Sequence, residues 1–176
     1  MNIQHSSRTD EWGTPLSIII MCRQVMNCIH YDPASSGKFN KFVEAEQYCT
    51  KEQDGLKAVW PSESNIFINP PGGKTGNKSN TTLFWKKLME HKYTGCLRQA
   101  IFLAFSAEAL QTTQGKGYPS IGEFTICIPK RRIAFVGEDD TKQAPSHSNC
   151  IAYIPGTIDR TYLFKEVFSD LGIILN

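Results

Sequence analysis

A chain of 176 residues with 40% hydrophobic content is long enough for one domain with a core of its own. Its net charge of +2 neither argues for nor excludes a nucleic-acid partner. The longest apolar run, Ile18-Ile19-Ile20-Met21-Cys22, falls far short of the ~20 residues that span a bilayer, so no membrane partner is expected.

The N-terminus, Met1-Asn2-Ile3-Gln4-His5, lacks a basic stretch followed by an apolar one, so a cytoplasmic protein without a signal peptide is expected. The cysteines are Cys22, Cys28, Cys49, Cys96, Cys127 and Cys150. No pair has the C-x-x-C spacing, and their apolar neighbours suit reduced core thiols, so no metal site is expected.

Residues 1–13 are polar, and the first nine read as a loose arm. Thr14-Pro15 reads as a helix start, with Thr14 as N-cap and Pro15 at the first helical position. Ile18, Ile19, Cys22, Val25 and Met26 follow at helical spacing. The stretch Asp10-Glu11-Trp12-Gly13-Thr14-Pro15 supports two readings. One is a capped helix start with Trp12 packed on the core; the other is a ligand loop ahead of a helix N-terminus.

Ile29-His30-Tyr31-Asp32-Pro33-Ala34 reads as a short strand halted by Pro33, with Asp32 at its end. Such an acidic residue either caps a turn or holds a ribose or a cationic ligand. Residues 39–48 have mixed helical character, Asp54-Gly55-Leu56 is a turn, and Trp60-Pro61 closes the segment.

Asn65-Ile66-Phe67-Ile68 is apolar, partly β-branched and bounded by turn signals, so it reads as a buried strand. Two prolines cannot donate to a ladder, so the strand must end at Asn69-Pro70-Pro71. Asn69 is thereby held at a strand's carboxyl end, where open α/β sheets bind ligands. Its amide, with the Pro70 carbonyl nearby, suits an exocyclic amine.

Gly72-Gly73-Lys74-Thr75-Gly76-Asn77-Lys78-Ser79 invites comparison with a phosphate loop but fails on count, because Asn77 stands where a glycine is required. A mobile, basic loop carrying Lys74 and Lys78 beside the site is the better expectation; a nucleotide-binding protein built on this loop is the alternative.

Thr81 or Thr82 then caps a helix with the apolar stripe Phe84, Trp85, Leu88 and Met89, and with Lys86 and Lys87 on its solvated side. Ala100-Ile101-Phe102-Leu103-Ala104-Phe105 reads as a central strand. A short helix at 107–114 is expected next. Strands at 124–128 and 133–136 flank the basic turn Pro129-Lys130-Arg131-Arg132, and 137–149 is polar loop. Cys150-Ile151-Ala152-Tyr153-Ile154 forms another strand. The last helix carries Phe164, Val167, Phe168 and Leu171, with Gly172 as its terminator. No repeat or linker divides the chain, so a single domain over 1–176 is expected.

Asp10-x-Trp12-x-Thr14-Pro15, Tyr31-Asp32-Pro33-Ala34-Ser35, Asp54-Gly55-Leu56 and Asn69-Pro70-Pro71 occur in the order and rough spacing of the phage-type DNA N6-adenine methyltransferases. Ile128-Pro129-Lys130-Arg131-Arg132-Ile133-x-Phe135 and Ser146-His147-Ser148-Asn149 resemble that family's C-terminal half. The resemblance spans about residues 10–155.

It implies a compact Rossmann-like methyltransferase fold: an α/β three-layer sandwich whose mixed sheet has antiparallel C-terminal strands. It implies S-adenosylmethionine as cofactor and double-stranded DNA with a flipped adenine as partner, acted on by a monomer or weak dimer in the cytoplasm (the host's, for a phage protein). On this reading Asp32 and Pro33 lie in the cofactor pocket. Trp12, Thr14 and Pro15 border the methionine end, and Asp54 the adenosine end. Asn69, Pro70 and Pro71 hold the target amine. Gly72, Lys74, Lys78, Phe84, Trp85, Lys130, Arg131 and Arg132 face DNA.

Two departures stand out. Gly72 occupies the position where most of these enzymes carry an aromatic that stacks on the flipped base. Either Phe84 or Trp85 substitutes, or the substrate is held differently, or activity is lost and the fold binds DNA or a partner, or modifies another amine. Second, no Gly-x-Gly motif precedes Asp32, and the short span from Asp32 to Asn69 suggests that part of the usual sheet is missing.

Overall fold

A computed structural model describes residues 12–137, the backbone of Lys142–Gln143, and residues 147–176. The expected arm, Asp10, Glu11, most of the 137–149 loop and Ser146 lie outside the described residues.

Seven strands form one sheet. In chain order they are β1 (Tyr31–Asp32), β2 (Gln47–Tyr48), β3 (Ser64–Ile68), β6 (Leu97–Ala104), β7 (Thr125–Pro129), β10 (Cys150–Pro155) and β11 (Gly172–Leu175). Two small hairpins account for β4 (Lys74–Thr75) with β5 (Lys78–Ser79), and β8 (Phe135–Val136) with β9 (Lys142–Gln143). The helices are α1 (Leu16–Met26), α2 (Asn40–Val43), α3 (Asn80–Tyr93), α4 (Ala109–Thr112) and α5 (Thr161–Phe168).

The spatial order of the sheet is β11-β7-β10-β6-β3-β1-β2. The strands β2, β1, β3 and β6 run parallel, while β10, β7 and β11 add antiparallel pairs. The sheet is covered on both faces, which is why its central strands are continuously apolar. Ile66, Ile68, Ala100, Phe102 and Ala152 pack toward Trp85, Leu88 and Met89 of α3. Phe67, Ile101, Leu103, Ile151 and Tyr153 pack toward Ile18, Ile19 and Cys22 of α1 and toward Phe164 and Phe168 of α5. The result is the expected three-layer α/β sandwich with β1 and β3 adjacent.

Several local expectations need correcting. Pro15 has ψ 140, outside the helical range, so α1 starts at Leu16 with Pro15 in the cap position; Thr14 therefore caps nothing. The stretch at 72–79 folds as the β4/β5 hairpin, tied down by Asn80, which donates to the Gly72 carbonyl at 2.8 Å and accepts from Thr75. The cap of α3 is Ser79, accepting from the Thr82 N–H, rather than Thr81 or Thr82.

Residues 133–136 contribute only β8, which pairs with β9 and bridges to Gly13 outside the main sheet. The last helix ends at Phe168, and Gly172 opens the edge strand β11. A Cβ there would lie 2.0 Å from the Ile128 carbonyl oxygen, so only glycine lets the edge strand sit flush.

Candidate active site

The three parallel strands β1, β2 and β3 end at Asp32, Tyr48 and Ile68, at the same end of the sheet. The loops that follow enclose a cleft of about 340 Å³, bordered by Trp12, Ala34, Thr50, Leu56, Asn69 and Phe84 among others. A volume in this range suits a small-molecule site.

Asn69 stands on its wall, half-buried. Its side-chain NH2 donates to the Trp12 carbonyl at 2.8 Å. That bond fixes the amide's orientation and leaves Oδ1 as an acceptor with no donor among the described residues. Gly13, next to Trp12, exchanges backbone hydrogen bonds with Val136 at 2.8 and 2.9 Å. The Phe39 ring lies against it so closely that a Cβ would meet Phe39 Cδ1 at 2.3 Å. The partner of Asn69 is thus itself held from two sides.

Asp32 lies beneath the cleft wall, 2% exposed, and its Oδ1 accepts the Ala34 N–H at 2.9 Å. This is an Asx-type turn that shapes the 33–35 loop. Burial pushes its carboxyl up to about 7, against the opposing pull of the Ala34 N–H and the Ser35 hydroxyl. Of the two readings offered by the sequence, the geometry shows the turn-holding one: one carboxylate oxygen of Asp32 is committed to the loop that follows it.

A raised carboxyl stabilises the fold most below its ordinary value near 3.8, and that contribution is lost as pH rises through about 7. Unfolding free energy should fall over that window by on the order of a few kcal/mol, with the melting temperature following it down, and Asp32→Asn should flatten the profile. A wild-type profile equally flat in thermal melts would refute this.

The opposite wall is the 54–58 turn. Gly55 packs on the 33–35 loop, where a Cβ would lie 1.8 Å from the Pro33 carbonyl oxygen. Trp60 donates from Nε1 to the Gly55 carbonyl at 2.8 Å. Lys87 donates from Nζ to the carbonyls of Leu56 and Ala58, both at 2.6 Å, and sits over the Trp60 ring. Lys87 is therefore no solvated surface lysine: it staples the turn to α3. Asp54 pairs with Lys57 at 2.9 Å, and that contact lowers its carboxyl below the usual range.

Over residues 2–163 the sequence matches the family described as DNA N-6-adenine-methyltransferase (Dam). The chain belongs to this family. No curated protein matches it. Among solved structures, a putative class I S-adenosylmethionine-dependent methyltransferase from Listeria monocytogenes is similar at 13% identity and a TM-score of 0.48. The match covers 89% of this chain and 65% of that one.

Membership in the Dam family implies S-adenosylmethionine as the cofactor. The cleft fits that molecule in chemistry. Apolar surfaces of Phe39, Leu56 and Phe84 can cover an adenine ring, while Ser35, Thr50 and Asp54 offer partners for hydroxyl and ammonium groups. Because Lys87 holds the 54–58 wall, Lys87→Met should weaken cofactor binding about tenfold, roughly 1.5 kcal/mol, with Lys87→Arg recovering part of it. Calorimetric titration checks this; unchanged affinity in Lys87→Met would remove the staple role.

Of the residues expected at a Dam-family site, Trp12, Pro33, Asp54, Asn69, Pro71, Gly72, Lys74 and Phe84 line this cleft. Pro70 is buried and does not border it. Lys78 is exposed on the hairpin. Thr14, Pro15, Lys130, Arg131 and Arg132 line a second cleft instead. Trp85 is a core residue, 0% exposed, and is removed from the DNA-facing set.

Ser35, Phe39, Thr50, Lys51 and Asn80 were missed. Thr50 and Lys51 follow the end of a parallel strand, a signal hidden because β2 is two residues long.

At the opposite end of the sheet, Cys28, His30 and Glu46 cluster with their ligand-type atoms within 4.8 Å of one another. The Asn65 N–H donates to His30 Nδ1 at 2.9 Å. Nε2 then keeps the proton of the neutral ring and faces Cys28 Sγ at 3.1 Å, so it has no lone pair for a metal.

Proposed function

We propose that residues 1–176 act as one methyltransferase domain that transfers the methyl group of S-adenosylmethionine to N6 of a flipped adenine in double-stranded DNA. The observation that carries this reading is the Asn69 amide. It follows directly on a central parallel strand, its NH2 is committed to the Trp12 carbonyl, and it lines the cleft with no donor to its Oδ1 among the described residues.

When bound, the cofactor supplies an electrophilic methyl group. Ser35, Phe39, Thr50, Asp54 and Leu56 would hold it, with Asp32 and Lys87 shaping the two loops around it. Adenine N6 is a poor nucleophile because its lone pair is delocalised into the ring. Asn69 Oδ1 would accept one of its hydrogens and draw it toward a tetrahedral geometry with the lone pair available for the methyl group; the Pro70 carbonyl, expected to take the other, is buried away from the cleft. Once methylated, N6 would release one proton to solvent. The hydrogen bond to Asn69 would strengthen as N6 becomes cationic, so it favours the transition state over the ground state. Phe39 or Phe84 takes the stacking role that Gly72 cannot.

Incubating DNA with the protein and labelled cofactor, followed by methylation-sensitive digestion, tests the reading. Protection with label at adenine N6 is the expected result. Cofactor binding without any labelled DNA would favour the second reading, which Gly72 supports: a methyltransferase acting on a different amine, or one whose activity is lost.

A further inference from the structure

We propose that the second, larger cleft is the seat of the target DNA strand, an inference that rests on the reading of the protein as a DNA methyltransferase. This cleft measures about 720 Å³ and lies between the first turn of α1, Phe42 of α2 and the turn at 130–134. Phe39 borders both clefts and forms the partition between them.

Its rim is cationic. Lys130, Arg131 and Arg132 stand on it, all exposed, and Asp170 is the one acidic lining residue among those described. Lys130 donates to the Asp170 backbone carbonyl at 3.2 Å, which fixes where its ammonium sits. Asn149 holds the turn itself: it accepts the Ile133 N–H at 2.9 Å and donates to the Phe105 carbonyl at 2.7 Å. The leading N–H groups of α1 add partial positive charge on the far side. Thr14, also on the wall, has a buried hydroxyl with no partner among the described residues.

The other side of the cleft is apolar and uncovered. Phe42 is 43% exposed and Leu16 is 48% exposed. Arg23 donates to the Phe42 carbonyl at 2.8 Å and pairs with Glu44, so the segment that presents the ring is anchored to α1.

A cationic rim beside a held, exposed aromatic ring matches a chain that alternates phosphates with flat bases. Phosphates flanking the target contact Lys130 and Arg131, a neighbouring base stacks on Phe42, and the target nucleotide is delivered past Phe39 toward Asn69. An acidic peptide would satisfy the rim but leave the ring without a purpose.

Fluorescence anisotropy with the full chain and a labelled duplex, plain or with one unpaired adenine, provides the test. The K130A/R131A variant should bind about tenfold more weakly at ~0.1 M salt, with the slope of log affinity against log salt shallower by about 1–2. Phe42→Ala should lose about tenfold on the duplex with the unpaired adenine and keep the wild-type salt slope. Melting temperature and cofactor affinity should be unchanged in both.

Folded variants with wild-type affinity and slope would overturn the proposal, as would a wild-type protein that binds no DNA. Equal losses on polyglutamate, with no effect of Phe42→Ala, would assign the cleft to an acidic peptide and overturn it too. DNA binding that depends on these residues but yields no methylated product would defeat the functional reading and leave the cleft assignment standing.

Discussion

Asn69→Ala should lower single-turnover methyl transfer to DNA by about 10²–10³ while cofactor affinity stays near the wild-type value. The acceptor it removes acts on the target amine, and its effect grows as positive charge develops on N6. The same substitution also removes the bond from the amide to the Trp12 carbonyl, worth about 1 kcal/mol to the fold. The two consequences differ enough in size to be separated. A thermal melt beside single-turnover transfer of labelled methyl reads both. A folded Asn69→Ala protein that methylates at the wild-type rate would show that the residue only braces the 12–15 loop.

Trp85→Ala should cost about 3–5 kcal/mol of stability, lowering the melting temperature by on the order of 10 °C. The indole is completely buried and stands edge-on to Phe102 at 5.1 Å and to Phe124 at 5.5 Å. Its Nε1 donates to the Pro119 carbonyl at 2.9 Å, so truncation opens a cavity and also strands an acceptor. Below its melting temperature the variant should bind DNA as the wild type does. A variant with an unchanged melt and lost DNA affinity would return Trp85 to the DNA-facing set. Denaturant titration beside anisotropy decides the matter.

Much of the framework could be read along the chain. The continuous apolar runs of β3, β6 and β10 announce a sheet buried on both faces, because in such a sheet every side chain is inside. Asn69-Pro70-Pro71 marks the end of β3 wherever that strand lies, since prolines cannot extend a ladder. The ordered set of short motifs carried the family over most of the chain.

What the chain order could not supply was partnership across space. Asp32 looked like a ligand contact because a carboxylate at a strand end reads the same whether it faces the cleft or the following backbone. Burial and the bond from the Ala34 N–H show that one of its oxygens serves the following backbone. Lys87 looked solvated because helical spacing placed it beside Lys86. Its aliphatic stem nevertheless reaches the 54–58 turn, to which nothing in its neighbours along the chain points.

The family resemblance grouped Thr14 and Pro15 with Trp12, yet they line the other cleft, beyond the bridge from Gly13 to Val136. Strand ends, apolar periodicity and proline positions are local properties, and the sequence by itself determined them. How Lys87 ties down the 54–58 turn, and into which of the two clefts Thr14 and Pro15 fall, depend on contacts between segments far apart along the chain. Only the tertiary structure brought those segments together.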